Sequence, residues 1–202
     1  MSLVLDVDGV ILRNPKLLAH VRRNCERYIK LKLPSTKRPA YTNRVLYGTY
    51  GHTAVGLEKL FDIDTSDFNK KVYDTTLMAH LWEVLESTEF QADARIIHDL
   101  SSRWRVTLFS NAPLAWIGTV ARAINDDTRF VAANPYKPHA HAYLPFETNM
   151  KHVFVDDSIE NLRTVQWLSN WEPICFGGQP DWGCKTVNSL PELAEYLSVA
   201  SS

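Results

Sequence analysis

Two aspartates one residue apart, Asp6 and Asp8, close the short apolar run Leu3-Val4-Leu5 and are followed at once by Gly9. A run of that length suits a buried strand, and glycine lets the chain turn away with no side chain in the way. Carboxylates forced together repel and raise one another's pKa unless a cation or donors sit between them, so the pair invites a divalent metal. A second acidic pair, Asp156-Asp157, ends the run Val153-Phe154-Val155. Between the two pairs, Ser110-Asn111 follows another apolar run and Lys137-Pro138 lies in a loop. Taken singly, an Asp-Gly turn, a Ser-Asn helix cap and a solvated lysine are ordinary features. Taken together in this order, four carboxylates, a hydroxyl and an ammonium offer acid–base oxygens, a fixed cation and a seat for a hard metal ion.

The elements that must position these groups change character along the chain. Residues 15–33 read as a helix opened by Pro15, with Leu17, Leu18, Val21, Cys25, Tyr28 and Ile29 at helical spacing. Residues 34–39 read as a break. Residues 45–47, 55–61, 68–73 and 77–85 read as short helical pieces, with Thr65 or Ser66 expected to cap the third. Beyond residue 90 strand and helix alternate: helix 92–104, strand 106–109, helix 114–124, strand 130–132, strand 152–155, helix 159–168, strands 173–176 and 185–187, and helix 190–197. That alternation predicts an α/β fold, a Rossmann-like three-layer core around a parallel sheet. Residues 1–12 and 91–202 are expected to form the core domain, with an all-helical domain at 13–90 inserted after the first strand. In an open parallel sheet, ligands bind beyond the carboxyl ends of the strands, where the acids, Ser110 and Asn111 fall.

At 202 residues the chain is long enough for one well-buried domain with a sizeable insertion. A net charge of −1 gives no general attraction to a nucleic-acid polymer or an anionic membrane, so a small anionic ligand needs a local site. Cys25, Cys175 and Cys184 are odd in number and lack metal-type spacing, which fits reduced thiols in a cytoplasmic protein. No apolar run spans a bilayer, and the opening MSLVLDVDGV does not read as a secretory signal. The expectation is a soluble cytoplasmic protein, monomer or homodimer.

The four motifs Asp6-Val7-Asp8-Gly9-Val10, Leu108-Phe109-Ser110-Asn111, Lys137-Pro138 and Val155-Asp156-Asp157-Ser158 resemble those of the haloacid dehalogenase superfamily of phosphohydrolases. The resemblance covers the whole chain, because the helical insertion lies where that superfamily carries a helical cap. Within it, the stretch from Arg44 through Tyr47, Tyr50 and His52 to Leu57, with the later Asp62-Ile63-Asp64, resembles pyrimidine 5′-nucleotidase-like members. One departure is the segment His139-Ala140-His141-Ala142-Tyr143, which lacks the acidic residue often found just beyond Lys137-Pro138 in relatives.

The resemblance implies Mg²⁺-dependent hydrolysis of a small phosphate monoester through an aspartyl-phosphate intermediate, a nucleoside 5′-monophosphate being the best substrate class. Such chemistry needs a nucleophile in line with the leaving oxygen, a proton for that oxygen, and cationic cover for the phosphoryl charge. Asp6 is the expected nucleophile and Asp8 the acid that protonates the leaving group and later accepts a proton from water. By the family pattern Asp6, Asp157 and the Asp8 backbone carbonyl bind Mg²⁺, with Asp156 acting through water and Asn161 holding a metal-bound water. Ser110 is expected to donate to a phosphoryl oxygen with the Asn111 N–H beside it, and Lys137 to pair with both the phosphoryl group and Asp6.

Selectivity is expected in the helical block, where Tyr41, Arg44, Tyr47, Tyr50 and His52 supply rings to stack on a base and donors to read it. The same aromatics would also serve to fill a small core. His139 and His141 read as loop residues rather than metal ligands, and Trp167, Trp171 and Trp182 as packing. The alternatives are a phosphatase of another metabolite such as a sugar phosphate, a phosphomutase, a dehalogenase, and a non-catalytic binding protein. A dehalogenase has little use for Asp8 together with Asp156 and Asp157.

Overall fold

The computed structural model describes residues 1–146 and 149–200. Its parallel sheet has the strand order β3-β2-β1-β4-β5-β6. The strands are β1 Ser2–Leu5, β2 Arg105–Ser110, β3 Arg129–Ala132, β4 His152–Asp156, β5 Trp171–Phe176 and β6 Lys185–Val187. Between β1 and β2 run α1 Pro15–Lys32, α2 Pro39–Tyr50, α3 Thr53–Phe61, α4 Thr65–Val72, α5 Thr75–Leu85 and α6 Thr88–Ser101. Helices α7 Leu114–Ile124, α8 Ile159–Val165 and α9 Leu190–Ala200 follow β2, β4 and β6.

The continuous apolar strands are explained by burial on both faces of a parallel sheet. Because side chains alternate, each strand is shared between two cores. Leu3, Leu5, Val106, Leu108, Val153, Val155 and Ile174 pack on one side with α6, α7 and α9. Val4, Phe109, Phe154 and Cys175 pack on the other with Leu162 and Val165 of α8 and with Tyr143. Each fully buried aliphatic or aromatic side chain contributes about 1.5–3 kcal/mol, so the alternation holds the three layers together and fixes the register of the strand ends.

The helical block has a third core of its own. Cys25, Tyr28 and Ile29 of α1 meet Leu46 of α2, Ala54 and Leu57 of α3, and Phe68 and Val72 of α4. Helix α5 differs: Leu77, Leu81, Val84 and Leu85 sink into the main core, as does Leu17 of α1. The block is therefore tied to the sheet layers through both α1 and α5.

Several boundaries differ from the sequence expectation for local reasons. Asp64, not Thr65 or Ser66, caps α4, its Oδ1 accepting the Ser66 N–H at 2.8 Å. Pro39 opens α2 instead of closing a break, since a proline at the first helical position gives up only an N–H that has no helical partner. Helix α6 starts early, at Thr88, because Ser87 caps it by accepting the Phe90 N–H.

Candidate active site

The chain runs outward from β1 to β2 and β3, then crosses to β4 on the other side of β1. The switch point therefore lies at the carboxyl ends of β1 and β4, and that is where Asp6 and Asp156 stand. Asp6 continues the ladder, donating its N–H to the Val155 carbonyl at 2.9 Å. The chain then folds back on itself, with the Ile11 and Leu12 N–H groups both donating to the Val7 carbonyl. Gly9 sits in this turn at φ +102°, and a Cβ there would collide with the Asp157 carboxylate. Glycine is required here twice over, for its backbone angle and for the close approach of an acid.

Lys137 is the electrostatic centre of the floor. Its side chain is 1% exposed, and Nζ donates to Asp6 Oδ1 at 2.8 Å, Asp156 Oδ2 at 2.8 Å and the Phe109 carbonyl at 3.0 Å. An ammonium has three protons, and these three bonds use them all. The expected pairing with Asp6 is present, but contact with a phosphoryl group would require one of these bonds to be released. Asn111 holds the lysine's backbone: its side chain accepts the Lys137 N–H at 2.8 Å and donates to the Lys137 carbonyl at 3.0 Å. Asn111 precedes α7, which begins at Leu114 with Pro113 at the cap, and it lines the cavity beside Ser110.

The carboxylates of Asp6, Asp156 and Asp157 bring oxygens within 4.8 Å of one another. Asp156 is wholly buried and saturated, accepting from Lys137, from the Ser158 N–H at 2.8 Å and from Asn161 Nδ2 at 3.0 and 3.1 Å. That is the environment of an acid held back from direct ligation, and it gives Asn161 a definite task in orienting Asp156. Burial raises Asp6 well above the usual carboxylate range, with Lys137 pulling it back and Asp156 and Asp157 pushing it further up. Burial and then the Asp156 charge push Asp157 up to about 7. One ammonium is set against three carboxylates, all oxygen donors, and the residues present fit a hard cation such as Mg²⁺.

Asp8 sits across the turn from this cluster. Its Oδ1 accepts from Trp116 Nε1 at 3.2 Å, and its Oδ2 accepts from Ser110 Oγ at 3.5 Å. Burial pushes Asp8 up to about 6, opposed first by the Trp116 bond and then by Lys137 and Ser110. A carboxyl group poised near neutrality can give and take a proton. Ser110 is itself fixed by accepting the Ala112 N–H at 3.0 Å.

A cavity of about 890 Å³ opens above these groups, and Asp6, Asp8, Ser110, Lys137 and Asp157 line its floor. The helical block supplies the opposite wall, including the expected Tyr41, Arg44 and Tyr47. Burial and the charges of Asp157, Asp6 and Asp156 raise the Tyr47 hydroxyl, which places that hydroxyl in the field of the acids although the ring is half-exposed. Two other expected readers serve the block's packing. The His52 ring stacks on Tyr136 at 4.2 Å and its Nδ1 caps α3 by accepting the Ala54 N–H, so it touches the cavity as a packed residue. Tyr50 is not among the residues that line the cavity; it takes Lys59 over its ring and closes on Gly56.

The wall also contains Arg22, Glu26, Asn43 and Tyr73, which sequence reasoning did not single out. Helical spacing from Leu18 and Cys25 was the available signal for the first two. Trp116 was likewise missed, although an indole one turn into the helix after Ser110-Asn111 was the sign to look for. His139 and His141, expected in a loop, instead form a short 3-10 turn over Ala140–Tyr143, which His139 caps by accepting the His141 N–H at Nδ1.

No protein-family model matches the sequence, and no curated protein sequence matches it. Solved structures do match its shape. An L-2-haloacid dehalogenase aligns over 97% of this chain and 98% of its own at 13% identity, with a TM-score of 0.56. YfnB from Bacillus subtilis, a HAD-type hydrolase whose structure holds magnesium, aligns over 98% of both chains at 12% identity and a TM-score of 0.57. A phosphoserine phosphatase from T. onnurineus aligns over 97% of this chain and 93% of its own at 14% identity and a TM-score of 0.52. These neighbours differ in chemistry and agree in architecture, and on that agreement the chain has the fold of the haloacid dehalogenase superfamily.

Proposed function

We propose that the chain is a Mg²⁺-dependent phosphatase of small phosphate monoesters, acting through an aspartyl-phosphate at Asp6, with a nucleoside 5′-monophosphate as the preferred substrate class. The observation that carries this reading is the pairing of Lys137 with Asp6 and Asp156 at 2.8 Å each, beside Asp157, Asp8 and Ser110 on one cavity floor. Lys137 occupies Asp6 Oδ1 and leaves Oδ2 as the nucleophilic oxygen. Ser110 lies beside Asp8 at the cavity floor, in position to donate to a phosphoryl oxygen, and Asp8 delivers the proton to the leaving oxygen. In the second half Asp8 takes a proton from the attacking water, the Asp6–phosphorus bond breaks, and inorganic phosphate leaves. Asp6, Asp157 and the Asp8 backbone carbonyl would hold Mg²⁺, with Asp156 behind them through water. Bound there, the ion neutralises phosphoryl charge and aligns it with Asp6.

Residues 13–90 act as the cap domain over a core of 1–12 and 91–202, with α1 to α4 supplying the wall that faces the sheet ends and α5 packing into the main core. A cavity of about 890 Å³ is ample for a mononucleotide, and Tyr41, Tyr47 and Arg44 offer stacking faces and a guanidinium for a base. Free thiols at Cys25, Cys175 and Cys184 support a reducing, cytoplasmic setting. Among the described residues, no helix is long and apolar enough to cross a membrane.

The test is phosphate release from a panel of sugar phosphates, amino-acid phosphates and nucleoside 5′-monophosphates, with Mg²⁺ and with chelator, for wild type and Asp6→Asn. Metal-dependent turnover that disappears in the variant, with nucleotides ranked first, is the expected result. Folded wild type that releases phosphate from no compound overturns the reading; turnover with sugar phosphates ranked first overturns only the nucleotide part.

A further inference from the structure

The general acid of this site needs more than a raised proton affinity: the proton must sit on the oxygen that faces the leaving group. Asp8 follows the strand end in a tight turn. Among the described residues, two side chains hydrogen-bond to its carboxyl group. The Ser110 hydroxyl reaches Oδ2 at 3.5 Å, the outer limit of a hydrogen bond, while the Trp116 indole N–H reaches Oδ1 at 3.2 Å. Trp116 is completely buried in the first turn of α7, and the ring of Tyr73, from the end of α4, packs edge-on against it at 5.2 Å. The indole therefore has its orientation set from two elements, and a buried indole N–H seeks an acceptor.

We propose that Trp116 is a positioning residue for the acid–base step, assigning Asp8 Oδ1 to a permanent acceptor role and so confining the transferable proton to Oδ2. The chemistry follows from the donor inventory: an indole N–H only donates, so Oδ1 cannot carry a proton toward it, whereas a serine hydroxyl can donate or accept and tolerates either state of Oδ2. In the first half-reaction Asp6 Oδ2 forms the bond to phosphorus, and the electron pair of the breaking phosphorus–oxygen bond goes to the leaving oxygen. That oxygen takes the proton from Asp8 Oδ2, and the resulting carboxylate keeps its bond from Trp116. In the second half the same Oδ2 takes a proton from water as the water oxygen bonds to phosphorus and Asp6 is released. The indole is thus a fixed reference about which one oxygen alternates.

The inference rests on the phosphatase reading, and the test separates the two. Trp116→Phe keeps most of the ring and removes the N–H. The rate of the first half-reaction, read as release of the leaving group in a single turnover, is measured with Mg²⁺ on an alkyl phosphate, whose alkoxide must be protonated as it leaves, and on p-nitrophenyl phosphate, whose phenolate leaves unaided. The expected result is a fall in that first-step rate of about 10- to 100-fold on the alkyl substrate, against less than about threefold on the aryl one, with the half-saturating substrate concentration changed little on either. An equal fall on both substrates assigns the indole a merely structural role and overturns the proposal, as does no fall on either. If Trp116→Phe does not fold, site-specific replacement of Trp116 by its sulfur isostere, benzothienylalanine, removes the N–H at unchanged volume and is read in the same way. A wild-type enzyme inactive on every monoester overturns the phosphatase reading and this inference together; an active wild type with a flat leaving-group response overturns this inference alone.

Discussion

The two sides of the cavity are built on opposite principles. On the floor, Lys137 and Asp156 are at most 1% exposed and tied by bonds of 2.8–3.1 Å to Asp6, Asn161, Ser158 and the backbone. On the wall, Tyr41 and Tyr47 are more than half exposed, and Arg44 lies over the Tyr41 ring at 5.4 Å. Floor residues determine one another, so each is coupled to folding and to chemistry at once. Wall residues hang from a helix whose own core is formed by other side chains, and are free to be exchanged without disturbing it. Under the proposed function, the difference separates what the reaction requires from what the substrate requires.

The largest effect should come from the centre of the floor. Asp6→Asn keeps the shape and the strand-end hydrogen bond, and its kcat should fall by on the order of 10⁴-fold or more, measured by phosphate release. Lys137→Met removes the ammonium that compensates two buried acids. Breaking a buried pair in this way costs about 3–5 kcal/mol, which urea unfolding would reveal as a lowered midpoint, with activity lost as well. If that variant is as stable as wild type, the floor is less interlocked than its geometry indicates.

A third experiment probes the packed part of the wall. Burial holds His52 down to about 4, whereas the unfolded chain binds that proton near 6.5. The unfolded state therefore binds more protons between these values, so the neutral ring's contribution is complete above about pH 6.5 and drains away as pH falls toward 4. At about 1.4 kcal/mol per unit the loss approaches roughly 3 kcal/mol. His52→Asn keeps a side-chain acceptor for the Ala54 N–H but does not titrate, and should flatten this part of the stability–pH curve. The smallest effect is expected at the exposed part. Tyr47→Phe should raise KM about fivefold, the equivalent of one hydrogen bond of about 1 kcal/mol, with kcat within about twofold. A large kcat effect there would move Tyr47 from the wall to the floor.

The same division explains what the sequence disclosed. The β-strand ends were legible because a strand buried on two faces must be continuously apolar, so the first charge after Leu5 or Val155 marks both its end and the site. Lys137 was legible only through its place between the other motifs, and its three engaged protons were not, since they depend on how β2, β4 and the loop converge. The side-chain role of Asn111 was not legible, because a side chain that mimics backbone pairing leaves no trace in spacing. On the wall, helical periodicity could not distinguish Tyr47, which faces the acids, from His52, which stacks on Tyr136, and Tyr50, which closes on Gly56. Aromatic residues satisfy both demands, and only packing chooses between them.

The central place of β1 has a consequence for the order in which the molecule is made. Its neighbours β2 and β4 lie roughly a hundred and a hundred and fifty residues further along the chain, and such distant pairings close late and slowly. The helices from α1 to α4 close over short separations and are free to collapse first. During synthesis the apolar strand that leads to Asp6 therefore waits without a partner until β2 has been made, and has only one until β4 follows. Asp6 thus precedes almost all of its surroundings in the chain, and a chain cut short before β4 would hold every helix of the wall, with Asp6 and Lys137, but neither Asp156 nor Asp157 of the floor.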